Sequence, residues 1–346
     1  MVEKEKNKNY FIENYPHQRG IHCETGSIKN MLTFYGYEIK EELIFGIGSG
    51  YDFIHFPFRL FDGCEIPIFR VISIQIFKKF TRRMHIQATT KIFYNKEHSM
   101  KTLDNLLSKN IPVGLVTEVS KLPFFPLRDR RFSGHHFVVI GKENNEYIVS
   151  DTDPNFPDNT TNTISYKDLK DARFTKDLFS PKGALFYIQS IPTNFDIKQG
   201  IITGIKYTCY KMLDIPFPFF GVKGIYFLSK RMKKYEKIYS TKQAWENIKF
   251  QIYISEEAGS GGSGFRYMYA SFLNQAADFL NDEHLLALSV SMREVADYWQ
   301  SFALDAIRQY EKRKERNIEN LADLIFQIAQ MEEKLFIDLK SWVQTK

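Results

Sequence analysis

His17-Gln18-Arg19-Gly20-Ile21-His22-Cys23-Glu24-Thr25-Gly26 leads directly into an apolar run at helical spacing, Ile28, Met31, Leu32 and Tyr35. The spacing predicts a helix that opens at or just after Cys23, with Gly36 as its stop. A second stretch, Gly134-His135-His136-Phe137-Val138-Val139-Ile140-Gly141, is followed by Tyr147-Ile148-Val149-Ser150-Asp151. Both halves of it are rich in Val, Ile and aromatic residues and read as strands. A thiol at a helix start, a histidine opening a strand and an acid ending the next are the parts of a Cys-His-Asp nucleophile. The thiolate attacks, and a helix N-terminus and a histidine each stabilise it. The histidine carries the proton, and a carboxylate fixes its tautomer and orientation. Cys23, one of His135 and His136, and Asp151 fit those roles.

Around these stretches the chain has two textures. Residues 113–117 and 184–189 read as further strands, and residues 100–109 as a short helix ended by Asn110 and Pro112. The first half is therefore α+β, an N-terminal helix followed by antiparallel strands. Beyond residue 195 strand signals fade. Phe265, Met268, Tyr269, Phe272, Leu273, Ala276 and Leu280 line one helical face. Val295, Trp299, Phe302, Ala303 and Ile307 line a second, and Leu321, Leu324, Ile325, Ile328, Met331 and Leu335 a third. The expected organisation is a catalytic domain over residues 1–195 and an all-α domain over residues 196–346. Gly259-Ser260-Gly261-Gly262-Ser263-Gly264 reads as a flexible connector, or as a loop whose glycines let the backbone approach a ligand or the neighbouring domain.

The 346 residues are 43% hydrophobic and 25% charged, the balance of a folded protein rather than a disordered one. Three cysteines without a repeated spacing argue for a reducing cytoplasm over a disulfide framework. The first eight residues lack the apolar core of a signal peptide. The aromatic stretches at 56–61 and 215–224 are too short and interrupted to span a bilayer. A net charge of +6, with basic runs at 78–83, 128–131, 230–237 and 312–316, suits solvated helix faces or an acidic protein partner. No recognition motif for nucleic acid accompanies them. Gly46-Ile47-Gly48-Ser49-Gly50 lacks the Lys-Ser/Thr of a phosphate loop and reads as a tight turn. No zinc-type ligand spacing occurs, so neither a metal nor a resident cofactor is expected.

His22–Gly26, Asn30–Gly36, Leu43–Gly50, Pro112–Val116, Phe132–Gly141 and Asp151–Asp153 together resemble the N-terminal domain of butirosin biosynthesis protein H. Residues 262–273 resemble that family's usual C-terminal helical partner. The resemblance implies a papain-like fold related to the C39 peptidases, adapted to move an acyl group from a carrier-protein thioester onto an amine in antibiotic biosynthesis. Within the family it points towards amide synthases of closthioamide-type polythioamide assembly. The phosphopantetheine arm would arrive with an acyl or peptidyl carrier protein, and the acceptor would be a small amine.

The same resemblance sorts the candidates. The base of a papain-like strand stands six residues before a strand-ending glycine and 16 residues before its orienting acid, which selects His135 with Asp151. His136 would then point to the opposite face of the strand and pack there. The oxyanion glutamine of such enzymes lies about six residues before the cysteine; Gln18 lies five before Cys23, and His17 six. Asp153, followed by Pro154, reads as turn chemistry. Two other outcomes share these residues. Water in place of the amine would make the enzyme a peptidase or thioesterase, and an idle triad would leave a binding protein on a papain-like fold.

Overall fold

Helix α1 (Cys23–Phe34) begins at Cys23 itself. His22 is its N-cap, in extended backbone, and its ring accepts from the Thr25 N–H. Ile28, Met31 and Leu32 are buried along the helix, as their spacing requires. The structure is a computed structural model that describes residues 9–61, 63–126, 132–154, 156, 160–176, 180–312 and 315–346. The first eight residues, the basic run at 128–131 and part of that at 312–316 lie outside the described residues.

The chain forms two units, one of Met1–Ile44 with Ile72–Phe195 and one of Phe45–Val71 with Asp196–Lys346. In the first, β1 (Tyr10–Phe11), α1 and the start of α2 (Glu41–Ile47) precede α3 (Gln75–Arg83), β4 (Gln87–Lys91) and α4 (Lys96–Leu107). They are followed by β5 (Val113–Glu118), β6 (Ser133–Glu143), β7 (Glu146–Ser150), β8 (Asn162–Ser165), α5 (Tyr166–Arg173) and β9 (Leu185–Ser190). The strands make one antiparallel sheet in the order β4-β9-β5-β6-β7-β8, with β1 also on β6. β6 lies between β5 and β7, and from Gly134 to Gly141 every residue is buried. That explains why its sequence is a continuous apolar run and not an alternation. A helix carrying the cysteine, packed against an antiparallel sheet that carries the histidine, is the papain-like arrangement.

The second unit holds the antiparallel hairpin of β2 (Tyr51–Phe61) and β3 (Cys64–Arg70). Its helices are α6 (Ile197–Cys209), α7 (Gly221–Met232), α8 (Tyr235–Ile238), α9 (Thr241–Ile252), α10 (Arg266–Leu280), α11 (Glu283–Glu311) and α12 (Ile318–Gln344). Residues 45–71 thus depart from the expected uninterrupted 1–195 domain, and the helical unit contains a small sheet. The hairpin was hidden in the sequence because its buried residues include His55 and Glu65, which interrupt the apolar pattern. The 259–264 stretch is likewise no loose connector. Ser260, Ser263 and Gly264 are buried, and Gly264, at φ +56°, would place a Cβ only 2.3 Å from the Phe69 ring. Only glycine meets both demands. Most of the three helical faces is buried as read, but Leu280, Leu324 and Met331 are only half-buried and Ile307 is 41% exposed.

The buried polar pair of the hairpin has a measurable consequence. Glu65 accepts from His55 Nε2 at 2.8 Å, Arg231 Nε at 2.8 Å, Tyr235 at 3.2 Å and Tyr239 at 2.5 Å. Burial alone would raise its pKa, but the bonds from His55, Tyr239 and Arg231 outweigh burial and hold the carboxyl at about 2. A depressed folded pKa stabilises the fold above the unfolded value and loses that contribution as pH falls towards the folded one. The helical unit is therefore expected to lose about 3 kcal/mol between roughly pH 4.5 and 2 through this group. In Glu65→Gln, acid titration of unfolding followed by circular dichroism should show that slope flattened. An unchanged slope would contradict it.

Candidate active site

The loop before Cys23 is fixed from two sides. Glu41 accepts from the N–H groups of Ile21 at 3.1 Å and His22 at 3.4 Å and from the Thr25 hydroxyl at 3.0 Å. Burial raises the Glu41 pKa, against the lowering by those hydrogen bonds. On the other side Gly20 donates its N–H to Thr152 O at 2.8 Å, and the Thr152 hydroxyl donates to Cys23 O at 3.3 Å. The end of β7 is thereby laced to the first turn of α1. That is what brings Asp151 to the neighbourhood of Cys23, 128 positions earlier in the chain.

Gly26 makes the approach possible, since a Cβ there would lie 2.6 Å from Thr152 Oγ1 and 2.9 Å from Thr152 Cβ. Gly26→Ala is expected to cost about 1–3 kcal/mol through this overlap and to lower kcat by loosening the Asp151 side of the site. Thermal unfolding and a kcat measurement check both effects. A variant with wild-type Tm and kcat would contradict the lacing.

His135 is 2% exposed and bonds through Nε2 to Asp151 Oδ2 at 2.6 Å. Asp151 is held in turn by the Asp153 N–H on its Oδ1 at 3.0 Å. With Nε2 engaged, Nδ1 is the nitrogen available for chemistry, and Asp153 Oδ2 stands 4.0 Å from it. Phe125 packs edge-on against the ring with centroids 4.7 Å apart. Burial opposes charge on His135, but Asp151, by charge and hydrogen bond, and the Cys23 sulfur, by the same means, outweigh it. The ring's pKa stands well above the ordinary histidine value. Asp151 and the sulfur thus both favour the protonated ring.

His136 is buried and packed, as read, but its ring also approaches the cysteine. Its Nδ1 lies 3.8 Å from Cys23 Sγ, and its Nε2 lies 3.8 Å from Glu24 Oε2. The cysteine is thus addressed by both histidines of the pair. His17, half-buried, bonds through Nδ1 to the Ser150 hydroxyl at 2.7 Å. Burial lowers its pKa, the nearby Asp151 charge acting in the opposite sense. Gln18 is exposed, and its carbonyl accepts from Asn30 Nδ2 at 2.9 Å, which ties that segment to α1. Its assignment as oxyanion donor stays a proposal.

Two family models match the chain. One, described as domain of unknown function (DUF4872), matches residues 167–339, half of the length. The chain belongs to that family. The other, butirosin biosynthesis protein H, N-terminal, matches residues 22–152, so Cys23, His135 and Asp151 all fall within the segment that is similar to it. No curated protein matches the chain. A crystal structure described as a C39-like peptidase from Bacillus anthracis is 15% identical, with a TM-score of 0.35 over 54% of this chain and 100% of that one. No role is taken from a likeness that slight. The architecture, with the cysteine at a helix start beside an antiparallel sheet that carries the histidine, is papain-like. Among the described residues no helix is long and apolar enough to cross a membrane.

Proposed function

We propose that the protein is a cysteine-dependent acyltransferase that makes amides in natural-product biosynthesis. The observation that carries the reading is the buried Cys23–His135–Asp151 set, with His135 Nε2 on Asp151 at 2.6 Å and its other nitrogen left for the sulfur. The Cys23 thiolate attacks the carbonyl of an acyl group held as a carrier-protein thioester. The carbon–sulfur bond to the phosphopantetheine arm breaks, and the departing thiolate takes the proton from His135 Nδ1. An amine then attacks the acyl-cysteine, gives its proton to His135, and Cys23 leaves as the thiolate again. The sum is thioester plus amine giving amide plus carrier thiol, which runs downhill without ATP. Asp151 orients His135 through both steps, and the Cys23 N–H with Gln18 holds each oxyanion.

Two features support transfer over hydrolysis. The matched N-terminal family is named for butirosin biosynthesis. The reacting groups are also deeply enclosed, with Cys23 7% and His135 2% exposed, which disfavours bulk water at the second step. The test is product partition from an acylated carrier protein, with and without a diamine or an amino sugar. Amide formation that suppresses free acid is the expected result. Free acid at the same rate whether or not amine is present would assign the triad to a thioesterase or peptidase.

A further inference from the structure

Within the unit that carries Cys23 lies a cleft of about 220 Å³, lined by Ile74, Ile92, Val116, Pro181 and Ala184 besides three serines and Lys182. Two of its walls lead to the nucleophile. Val116 on β5 is paired directly with His136 on β6, so the two side chains stand together on one face of the sheet. The His136 ring in turn lies 3.8 Å from Cys23 Sγ. Ile74 is the N-cap of α3, and Phe77, in the first turn of that helix, donates its N–H at 3.3 Å to Glu24, the residue after Cys23. We infer that this cleft receives the acyl chain of the thioester, and that the chain it takes is short and apolar.

This role for the cleft rests on the acyl-transfer reading and deepens it by naming the class of acyl group. The walls are held in place before any chain arrives. Ile74 stands at φ +69°, a conformation that a β-branched residue keeps only where the surrounding structure imposes it. The strap from Pro181 to Ala184 is fixed through its backbone, Phe93 donating its N–H to Lys182 O at 2.8 Å and Arg173 Nη2 donating to Gly183 O at 2.9 Å. A preformed, mostly apolar pocket with a few polar groups is the usual form of a small-molecule site. Its volume limits the guest. At about 30 Å³ for a group the size of a water, the cleft holds roughly seven heavy atoms. A long fatty chain would run past it into solvent on the side of Ile92, which is 56% exposed.

Alkylation of Cys23 tests this without thioester or amine, so its failure and failure of acyl transfer are read separately. The full chain is treated with N-methyl, N-hexyl and N-decyl iodoacetamide, and peptide mass spectrometry separates the Cys23 adduct from those on Cys64 and Cys209. The readout is the ratio of the hexyl rate to the methyl rate, which cancels any change in the thiol itself. In wild type that ratio should be about ten times the ratio for free glutathione, with no further gain from hexyl to decyl. Val116→Phe, which fills the cleft, and Ile92→Asp, which puts a charge on its open side, should each bring the ratio back towards that of glutathione. Circular dichroism and Tm report folding, and Ile92→Asp, a change at an exposed position, decides where Val116→Phe does not fold. Four results overturn the inference: a wild-type ratio equal to that of glutathione, no labelling of Cys23 by any of the reagents, a rate that keeps climbing to decyl, or a ratio unmoved in the variants that fold.

Discussion

Cys23→Ala is expected to abolish the acyl adduct and lower turnover by about ten-thousand-fold or more, while leaving Tm within a degree or two of wild type. The size follows from the role, because members of a nucleophile set act as one unit and losing the attacking atom removes nearly all of their joint effect. The small change in stability follows from the site. The Cys23 backbone carries the structural bonds, its carbonyl accepting from Thr152, whereas the side chain contributes the sulfur alone. His135→Gln should fall almost as far, since Asp151 would then have no imidazole to orient. Asp151→Asn should fall less, because an amide can still bond His135 Nε2 and the ring stays packed on Phe125. Single-turnover kinetics on a carrier-protein thioester measure all three. Turnover in Cys23→Ala within tenfold of wild type would remove the thiol from the chemistry.

The largest effect on stability is expected at Glu332, far from Cys23 in the chain. This carboxylate is 0% exposed and accepts from Arg266 Nε at 2.9 Å, Trp299 Nε1 at 2.7 Å and Tyr51 at 2.7 Å, so it joins α12 to α10, α11 and β2. The Arg266 guanidinium is sandwiched among rings, 4.5 Å from the Trp299 centroid and 5.0 Å from that of Tyr51. Glu332→Ala leaves a buried cation, an indole N–H and a phenol without their acceptor. Removing one partner of a buried ion pair costs about 3–5 kcal/mol. For a unit of this size the corresponding fall in Tm is roughly 10 °C. Chemical denaturation of wild type and variant checks it, and a loss below about 1 kcal/mol would show that the cluster is not what joins these elements.

Much of the first unit was legible because one residue type per position carried the signal. The Ile28, Met31, Leu32 and Tyr35 spacing located α1, and the 16-residue step from His135 to Asp151 located the dyad. His136 packs as read, buried against Phe186, but the linear pattern carried no sign that its Nδ1 also lies 3.8 Å from Cys23 Sγ, a contact set by how α1 meets the sheet. The β2–β3 hairpin was missed because His55 and Glu65 satisfy each other only once paired across strands, a relation invisible in a linear pattern. Nothing in the linear pattern marks the partners of Glu24 and Glu41, for the same reason. Their partners, His136 and the backbone around Ile21, are set by tertiary packing.

The central claim is that Cys23 carries the acyl group. It is tested most directly by the mass of the Cys23 peptide after the enzyme meets an acylated carrier protein without amine. The peptide is predicted to gain the mass of the acyl group and to lose it when a diamine or amino sugar is added, as the amide appears. Product formed while that peptide never leaves its free-thiol mass would contradict the account.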